Sequence, residues 1–354
     1  MENYLQYNLK IIKNKKMLPE KLAINNNTVK DPGEIANAFN SHFQKIGPQL
    51  ASTIPIVQNK SFKDYLTQPI NHEFKFKNIN ETCVEKIIDK LKPKTSTGHD
   101  GLSVKLIKDI KSIILKPITL IINQSLNTGI FPNLLKIAKI TPVYKANDTT
   151  NLNNYRPISI LPALSKIFEK VMQTQMHEYF CGFKLYYVSQ YGFRSGHCTE
   201  YAVLENIERI INHIENGSTS LNIFLDLSKA FDSLDHEILK YKLKYYGITG
   251  KALALLSNYL AERKQFVNFD NKTSDQLDIN TGVPQGSILG PILFLIYMND
   301  FPLCTQLFKF ILYADDSTLV TSLATNLNDM TQTLNDELTK LQDWLNLNKL
   351  SLNV

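Results

Sequence analysis

The sequence predicts an α+β fold, an antiparallel sheet with helices on one side. Three observations carry this. Residues 308–314 and 317–323 are apolar and strand-like, and only Asp315-Asp316 separates them. Residues 221–227 form a second apolar run rich in strand formers and contain Asp226. Leu327, Met330, Leu334, Leu338, Leu341 and Trp344 recur every three or four residues, which is the spacing of an amphipathic helix.

In chain order, the first patterned element is a helix from Pro32, with Ile35, Ala36, Phe39 and Phe43 on one face and Asp31 as N-cap. A packing role is expected for it. Val84, Ile87, Ile88 and Leu91 predict a second helix that stops at Lys92-Pro93. A loop, 94–101, leads to a helical stretch near 103–127 containing Pro117. Ile137–Tyr144 is a strand and 161–179 a helix. A helix is expected directly after Asp226, with Phe231, Leu234, Ile238 and Leu239 inward, and another at 252–261. Residues 265–269 and 276–280 bracket a polar turn and suggest a hairpin. Gly290-Pro291 opens a helix to Asp300.

Composition bounds the function classes. At 354 residues, 43% hydrophobic and 20% charged, the chain is globular, with two domains or one large one plus an extension. The longest apolar run, 288–298, is too short to span a bilayer. The N-terminus lacks a signal-peptide pattern, so an intracellular location is expected. Cys83, Cys181, Cys198 and Cys304 have no paired spacing, which predicts reduced, mostly buried thiols. The net charge of +6 sits wholly in residues 1–99, which hold 15 Lys and no Arg against 9 acids. So diffuse an excess does not name a polyanion partner. Lys10, Lys13, Lys15 and Lys16 are expected on a solvated helix face.

The carboxylates are more telling. A plain turn explains Tyr313-Ala314-Asp315-Asp316, but hairpin turns favour Gly second, and adjacent carboxylates repel unless a cation is near. Asp226 ends another apolar strand. If that strand lies beside the hairpin, three carboxylates converge at one end of the sheet. Two Mg²⁺ ions roughly 3.5–4 Å apart need such a set for nucleotidyl transfer.

The segments at Asp226 and Asp315 resemble motifs A and C of the reverse transcriptase palm. Phe224-Leu225-Asp226-Leu227-Ser228-Lys229-Ala230-Phe231-Asp232 is close to the form seen in non-LTR retrotransposons of the jockey type. Gly282-Val283-Pro284-Gln285-Gly286-Ser287-Ile288-Leu289-Gly290-Pro291 is similar to motif B. Asn154-Tyr155-Arg156-Pro157-Ile158-Ser159 resembles the fingers motif, Gln190-Tyr191-Gly192-Phe193-Arg194 the one after it, and 94–101 the upstream loop. The six occur in family order from about residue 80 onward.

The resemblance implies a right-hand polymerase: fingers mainly 81–220, a palm mainly 221–354 whose antiparallel sheet is backed by helices, and a helical, linker-like N-terminal extension over 1–80. It implies an RNA-directed DNA polymerase that takes an RNA template, a DNA primer and dNTPs and uses two Mg²⁺, with Mn²⁺ as an alternative. Asp226 and Asp315 are expected to hold both metals, with Asp316 in support. Lys145 and Arg156 are expected on the triphosphate, since the guanidinium fork fits phosphate oxygens. Phe231 is expected as the gate against a 2′-hydroxyl, the alternative being a core aromatic. Gln285 and Gly286 are expected against the incoming nucleotide, and Lys94 and Arg194 on the template backbone or in surface ion pairs. Asp232 is expected to be structural. The sequence ends within a segment resembling motif D, so the thumb is expected to be missing and the chain to be a fragment. A nuclear location is implied, without a clear import signal, and neither a membrane nor an obligate protein partner is expected. Rival readings are an RNA-dependent RNA polymerase, a relative from group II introns or retrons, and an inactive transposon relic or domesticated nucleic-acid-binding protein.

Overall fold

A computed structural model describes residues 19–24, 27–66, 68–323 and 327–353. The basic cluster at Lys10, Lys13, Lys15 and Lys16 lies outside them. Two sheets organise the described residues. The smaller has three antiparallel strands in the order β5 (Thr219–Leu225), β10 (Asp316–Leu323), β9 (Lys309–Tyr313). This is the sheet that the apolar runs predict, with β10 in the centre.

The larger sheet was not foreseen as such. It runs β4 (Tyr155–Ile160), β3 (Ile137–Tyr144), β6 (Arg263–Phe269), β7 (Lys272–Thr273), with β8 (Leu277–Ile279) also paired to β6. The β3–β4 and β6–β8 pairs are antiparallel, but β3 and β6 run parallel, so the expectation of one antiparallel sheet is corrected. A further hairpin joins β1 (Leu22–Ile24) to β2 (Asn27–Val29).

The helix Pro32–Thr53 begins as predicted, with the Asp31 carboxylate accepting from the Glu34 amide and Pro32 in the first turn. It lies along β6, β7 and β8 and shares their core. Phe39 stands edge-on to Tyr155 of β4 and lies 6.0 Å from Phe269 of β6. This helix is therefore one layer of the larger sheet.

The main core joins the central helices to the smaller sheet, apart from the core that the larger sheet shares with Pro32–Thr53. The helix Leu289–Met298 is apolar on every side, and nine of its ten residues are buried, as a helix must be when no face meets water. Against it pack the helices Ala163–Gly182 and His236–Tyr245, and Gly250–Leu260 packs on the latter. The predicted 103–127 stretch is two helices, Val104–Asp109 and Lys111–Thr128. A helix not anticipated, Thr199–Glu215, lies along all three strands of the smaller sheet. The final amphipathic helix, Leu327–Leu347, buries Leu341, Trp344 and Leu345.

The helix expected directly after Asp226 is displaced. Residues 226–235 form turns, with Lys229 in the left-handed region (φ 48°), and the helix starts only at His236, capped by Asp235. Phe231 and Leu234 are thus loop residues. All four cysteines are free, but only Cys304 is buried, while Cys83 and Cys181 are exposed, so mostly buried thiols is corrected too. Among the described residues no helix is long and apolar enough to cross a membrane.

Candidate active site

Register brings the three acids together. Leu225, the last residue of β5, pairs with Ser317, the second residue of β10, so Asp226 leaves the sheet at the edge where Asp316 enters it. Asp316 pairs with Tyr313 across a tight turn of Ala314 and Asp315, in which Ala314 takes φ 59°. The Gln190 side-chain carbonyl holds this turn, accepting from the Ala314 amide at 3.2 Å and the Gly192 amide at 2.8 Å. The Gln190-Tyr191-Gly192 segment therefore buttresses the acidic turn.

Asp226 and Asp316 are exposed and Asp315 is half-buried. The Asp315 carboxyl is raised above the usual carboxylate range, first by burial and then by the charges of Asp316 and Asp226, with Arg156 opposing. None of the three carboxylates forms an ion pair among the described residues. The Asp226 carboxylate accepts from Asn353 Nδ2 at 2.7 Å, and the Asn353 amide donates to the Asp226 carbonyl at 2.8 Å.

Among the described residues no group of three or more His, Cys, Asp or Glu side chains is close enough to form a ready-made metal cage. Mg²⁺ does not require one. It takes one or two carboxylates and completes its octahedron with water and substrate phosphates. An all-oxygen donor set at one sheet end, with no ion pair among the described residues, fits that ion.

Three cations lie close to one another, and one of them, Arg156, is near enough to act on Asp315. Arg156 of β4 pairs across the strands with Val143, and the Lys145 amide donates to the Asn154 carbonyl, so Lys145 and Arg156 sit at the same end of the β3–β4 hairpin. Both are exposed, and neither forms an ion pair within 4.0 Å among the described residues. Lys229, which sequence reasoning did not single out, is the third. Its ammonium is pulled below the usual lysine range by burial and by the neighbouring charges of Lys145 and Arg156, while Asp232 opposes. Its place three residues after Asp226 was the signal available.

Phe231 packs at the margin of the main core. Its ring stacks on Phe294 at 4.9 Å and meets Phe193 edge-on at 6.1 Å, yet it remains half-buried rather than enclosed. Gln285 and Gly286 lie against the larger sheet. The Gln285 carbonyl accepts from the Ser159 amide of β4 at 2.8 Å, and Gln285 Nε2 donates to the Asp232 carboxylate at 2.7 Å. Gly286 has φ 112°, and a Cβ there would lie 2.8 Å from the Ser159 carbonyl oxygen, so only glycine fits. The helix that follows is held by Glu169, fully buried, whose Oε2 accepts from the Ile288 and Leu289 amides at 2.6 and 3.2 Å. Sequence reasoning missed Glu169 as well. A lone acid among Ile167, Phe168, Val171 and Met172 was its signal.

Lys94 is exposed on its loop and close enough to Lys166 to lower that lysine's pKa, second to burial. Arg194, expected on the template backbone or in a surface ion pair, forms no ion pair among the described residues. Its guanidinium donates through Nη1 to the carbonyls of Tyr187, Val188 and Gln190 and lies 5.1 Å from the centre of the Tyr186 ring. It holds its own loop, because three backbone carbonyls already converge on it.

Comparison with known proteins agrees with this geometry. The reverse transcriptase (RNA-dependent DNA polymerase) family matches residues 143–354. The RNA-directed DNA polymerase from mobile element jockey of Drosophila melanogaster is 30% identical over 80% of this chain and 32% of its own length. The probable RNA-directed DNA polymerase from transposon BS of the same organism is 30% identical over 89% of this chain and 35% of its own. That from transposon X-element is 29% identical over 75% and 29%. The chain thus spans about a third of the length of the relatives it matches. With more than half its residues matched by the family, the chain belongs to the reverse transcriptases.

Proposed function

We propose that this chain is the RNA-directed DNA polymerase portion of a non-LTR retrotransposon of the jockey kind, adding dNTPs to a primer 3′-hydroxyl on an RNA template. The observation that carries the reading is the register that sets Asp226 beside Asp315 and Asp316. In this reading the three-stranded sheet belongs to the palm and the β3–β4 hairpin to the fingers, with the fingers mainly over 81–220 and the palm mainly over 221–354.

Asp226 and Asp315 would hold two Mg²⁺ ions, with Asp316 beside them. Bound there, the ions supply Lewis-acid activation of the attacking hydroxyl and neutralise charge on the leaving pyrophosphate. The protein's own groups do the rest. Lys145 and Arg156 receive the triphosphate on the open face of the hairpin, Arg156 through a planar fork and Lys145 as a mobile point charge. Lys229 adds a cation that forms no ion pair among the described residues. Phe231, fixed against Phe294, presents a rigid edge where a 2′-oxygen would need room. The Gln285-Gly286 backbone, pinned to Ser159, forms a firm wall for the nucleotide. Lys94 lies on an exposed loop suited to template phosphate. Access to nuclear DNA is expected for such an element.

The test is primer extension on poly(rA)/oligo(dT) with Mg²⁺ and dTTP, beside Asp315→Ala. Extension that vanishes in the variant and fails with UTP is the expected result. Extension with UTP would move the assignment to an RNA polymerase. No extension would favour an inactive relic or a nucleic-acid-binding protein.

A further inference from the structure

We propose that Asp232 is a positioning residue for nucleotide selection, holding the Gln285 amide so that its oxygen is left as the acceptor for the incoming nucleotide. The proposal rests on the polymerase reading above. It stands on a direct contact, the 2.7 Å hydrogen bond from Gln285 Nε2 to Asp232 Oδ2. An amide with a nitrogen committed in this way has its carbonyl oxygen turned to the other side, and an oxygen accepts only from donors such as a sugar hydroxyl or a base amine. Without the carboxylate, either end of the amide is free to turn outward.

The surroundings make Asp232 a fixed point. Its amide donates to the Lys229 carbonyl at 2.8 Å, closing the turn after Asp226. The Val283 amide donates to the Phe231 carbonyl at 2.8 Å and the Gly282 amide to the Leu234 carbonyl at 2.8 Å, so the Phe231 loop and the Gln285 loop are joined on both sides of Asp232. Gly47 of the N-terminal helix presses on the Asp232 backbone from behind. The gate residue, the glutamine loop and the N-terminal helix therefore meet at one residue. Asp232 itself needs no permanent charge for this role. Burial pushes its carboxyl up to about 7, with Lys229 and the Gln285 bond opposing, and either protonation state retains an oxygen that can accept.

The variants are Asp232→Ala, Asp232→Asn, Gln285→Ala and the double variant Asp232→Ala/Gln285→Ala. Thermal unfolding first confirms that each is folded. The main readout is the KM for dTTP against kcat in primer extension. The expected result is a KM roughly tenfold higher for Asp232→Ala, the size of one lost hydrogen bond of about 1.4 kcal/mol, with kcat changed far less. Asp232→Asn, which keeps the acceptor, should restore most of the loss. The double variant should be no worse than Gln285→Ala alone. Multiplying effects in the double variant, or a melting-temperature loss with an unchanged KM, would overturn the assignment.

A parallel titration with a fluorescent dTTP analogue in Ca²⁺, with primer–template bound and chemistry blocked, separates the two readings. Binding with the same coupling pattern but no extension by the parent protein would sink the polymerase reading and leave the Asp232 role standing. No binding by the parent protein would overturn both.

Discussion

Gly47→Ala is expected to destabilise the protein although it sits in a helix, where the opposite sign is the rule. Gly47 lies inside Pro32–Thr53, and alanine there should gain about 1 kcal/mol from helix propensity. Against this stands a close approach. A Cβ at residue 47 would lie 2.4 Å from the Asp232 carbonyl oxygen and 2.5 Å from Thr281 Oγ1, where real Cβ atoms do not come within 3.0 Å. The threonine can turn away, but the Asp232 carbonyl is backbone and its neighbours are bonded on both sides. Relieving such an overlap costs about 1–3 kcal/mol, which leaves a net loss of roughly 1 kcal/mol. Gly182→Ala is the control. It is the last residue of its helix, with nothing within 4 Å of a built Cβ, and should be neutral or slightly stabilising. Urea unfolding of the three proteins measures both. Because the overlap falls on Asp232, Gly47→Ala should also raise the KM for dTTP. A Gly47→Ala protein more stable than its parent would mean that the N-terminal helix does not press on this loop.

Three further outcomes follow from buried groups. Lys242 donates to Asp300 and to the Tyr297 carbonyl, all at 2.6 Å with both charged side chains wholly buried, and Trp344 donates to the other Asp300 oxygen at 3.0 Å. Lys242→Met strands that carboxylate and should cost about 3–5 kcal/mol by urea unfolding, whereas Lys242→Met/Asp300→Asn should recover most of it. Glu169→Leu removes the acceptor from two helix amides and should cost about 2–4 kcal/mol, while Glu169→Gln, which keeps an oxygen, should cost less than half of that. His42 is held down to about 4, by burial first and then by Lys229, and its Nε2 has no hydrogen-bond partner among the described residues. Since the unfolded chain protonates this ring near 6.5 and the folded one near 4, stability is lost as pH falls through that window. Between pH 7 and pH 5 the loss should be at most about 2 kcal/mol, and it should be absent in His42→Leu.

What was legible in the sequence divides by range. The three acids sit where strands end or turn, and such a place is a local property: an apolar run, then a carboxylate. Pairing β5 with β10 needed one assumption, that two apolar runs find each other, and the register satisfied it. The parallel contact of β3 with β6 had no such clue, because Ile137 meets Lys264 through a fold that no local period encodes. The Thr199–Glu215 helix was missed although Leu204, Ile207, Ile211 and Ile214 keep a helical spacing; in the structure that stripe stays exposed. The turn after Asp226 was misread because Phe231, Leu234 and Ile238 keep a helical spacing, whereas the backbone stays non-helical up to the Asp235 cap.

The same division runs through the site. The residues expected to meet metal and nucleotide lie in short local motifs, since each motif is a strand end or a turn that aims one side chain. The groups that hold those side chains come from elsewhere in the chain: Gln190 under the Asp315 turn, Asn353 on Asp226, Glu169 behind the helix after Gln285, and Gly47 behind Asp232. None of them needs a particular neighbour in sequence, only a donor, an acceptor or an absent side chain at the right place. A composition of acids and an arginine therefore points to the chemistry, whereas the precision of the site is a property of the fold. The coupling of Gly47 to Asp232 makes this concrete, because a helix that sequence reading set apart as an extension bears on the glutamine loop through a single backbone carbonyl.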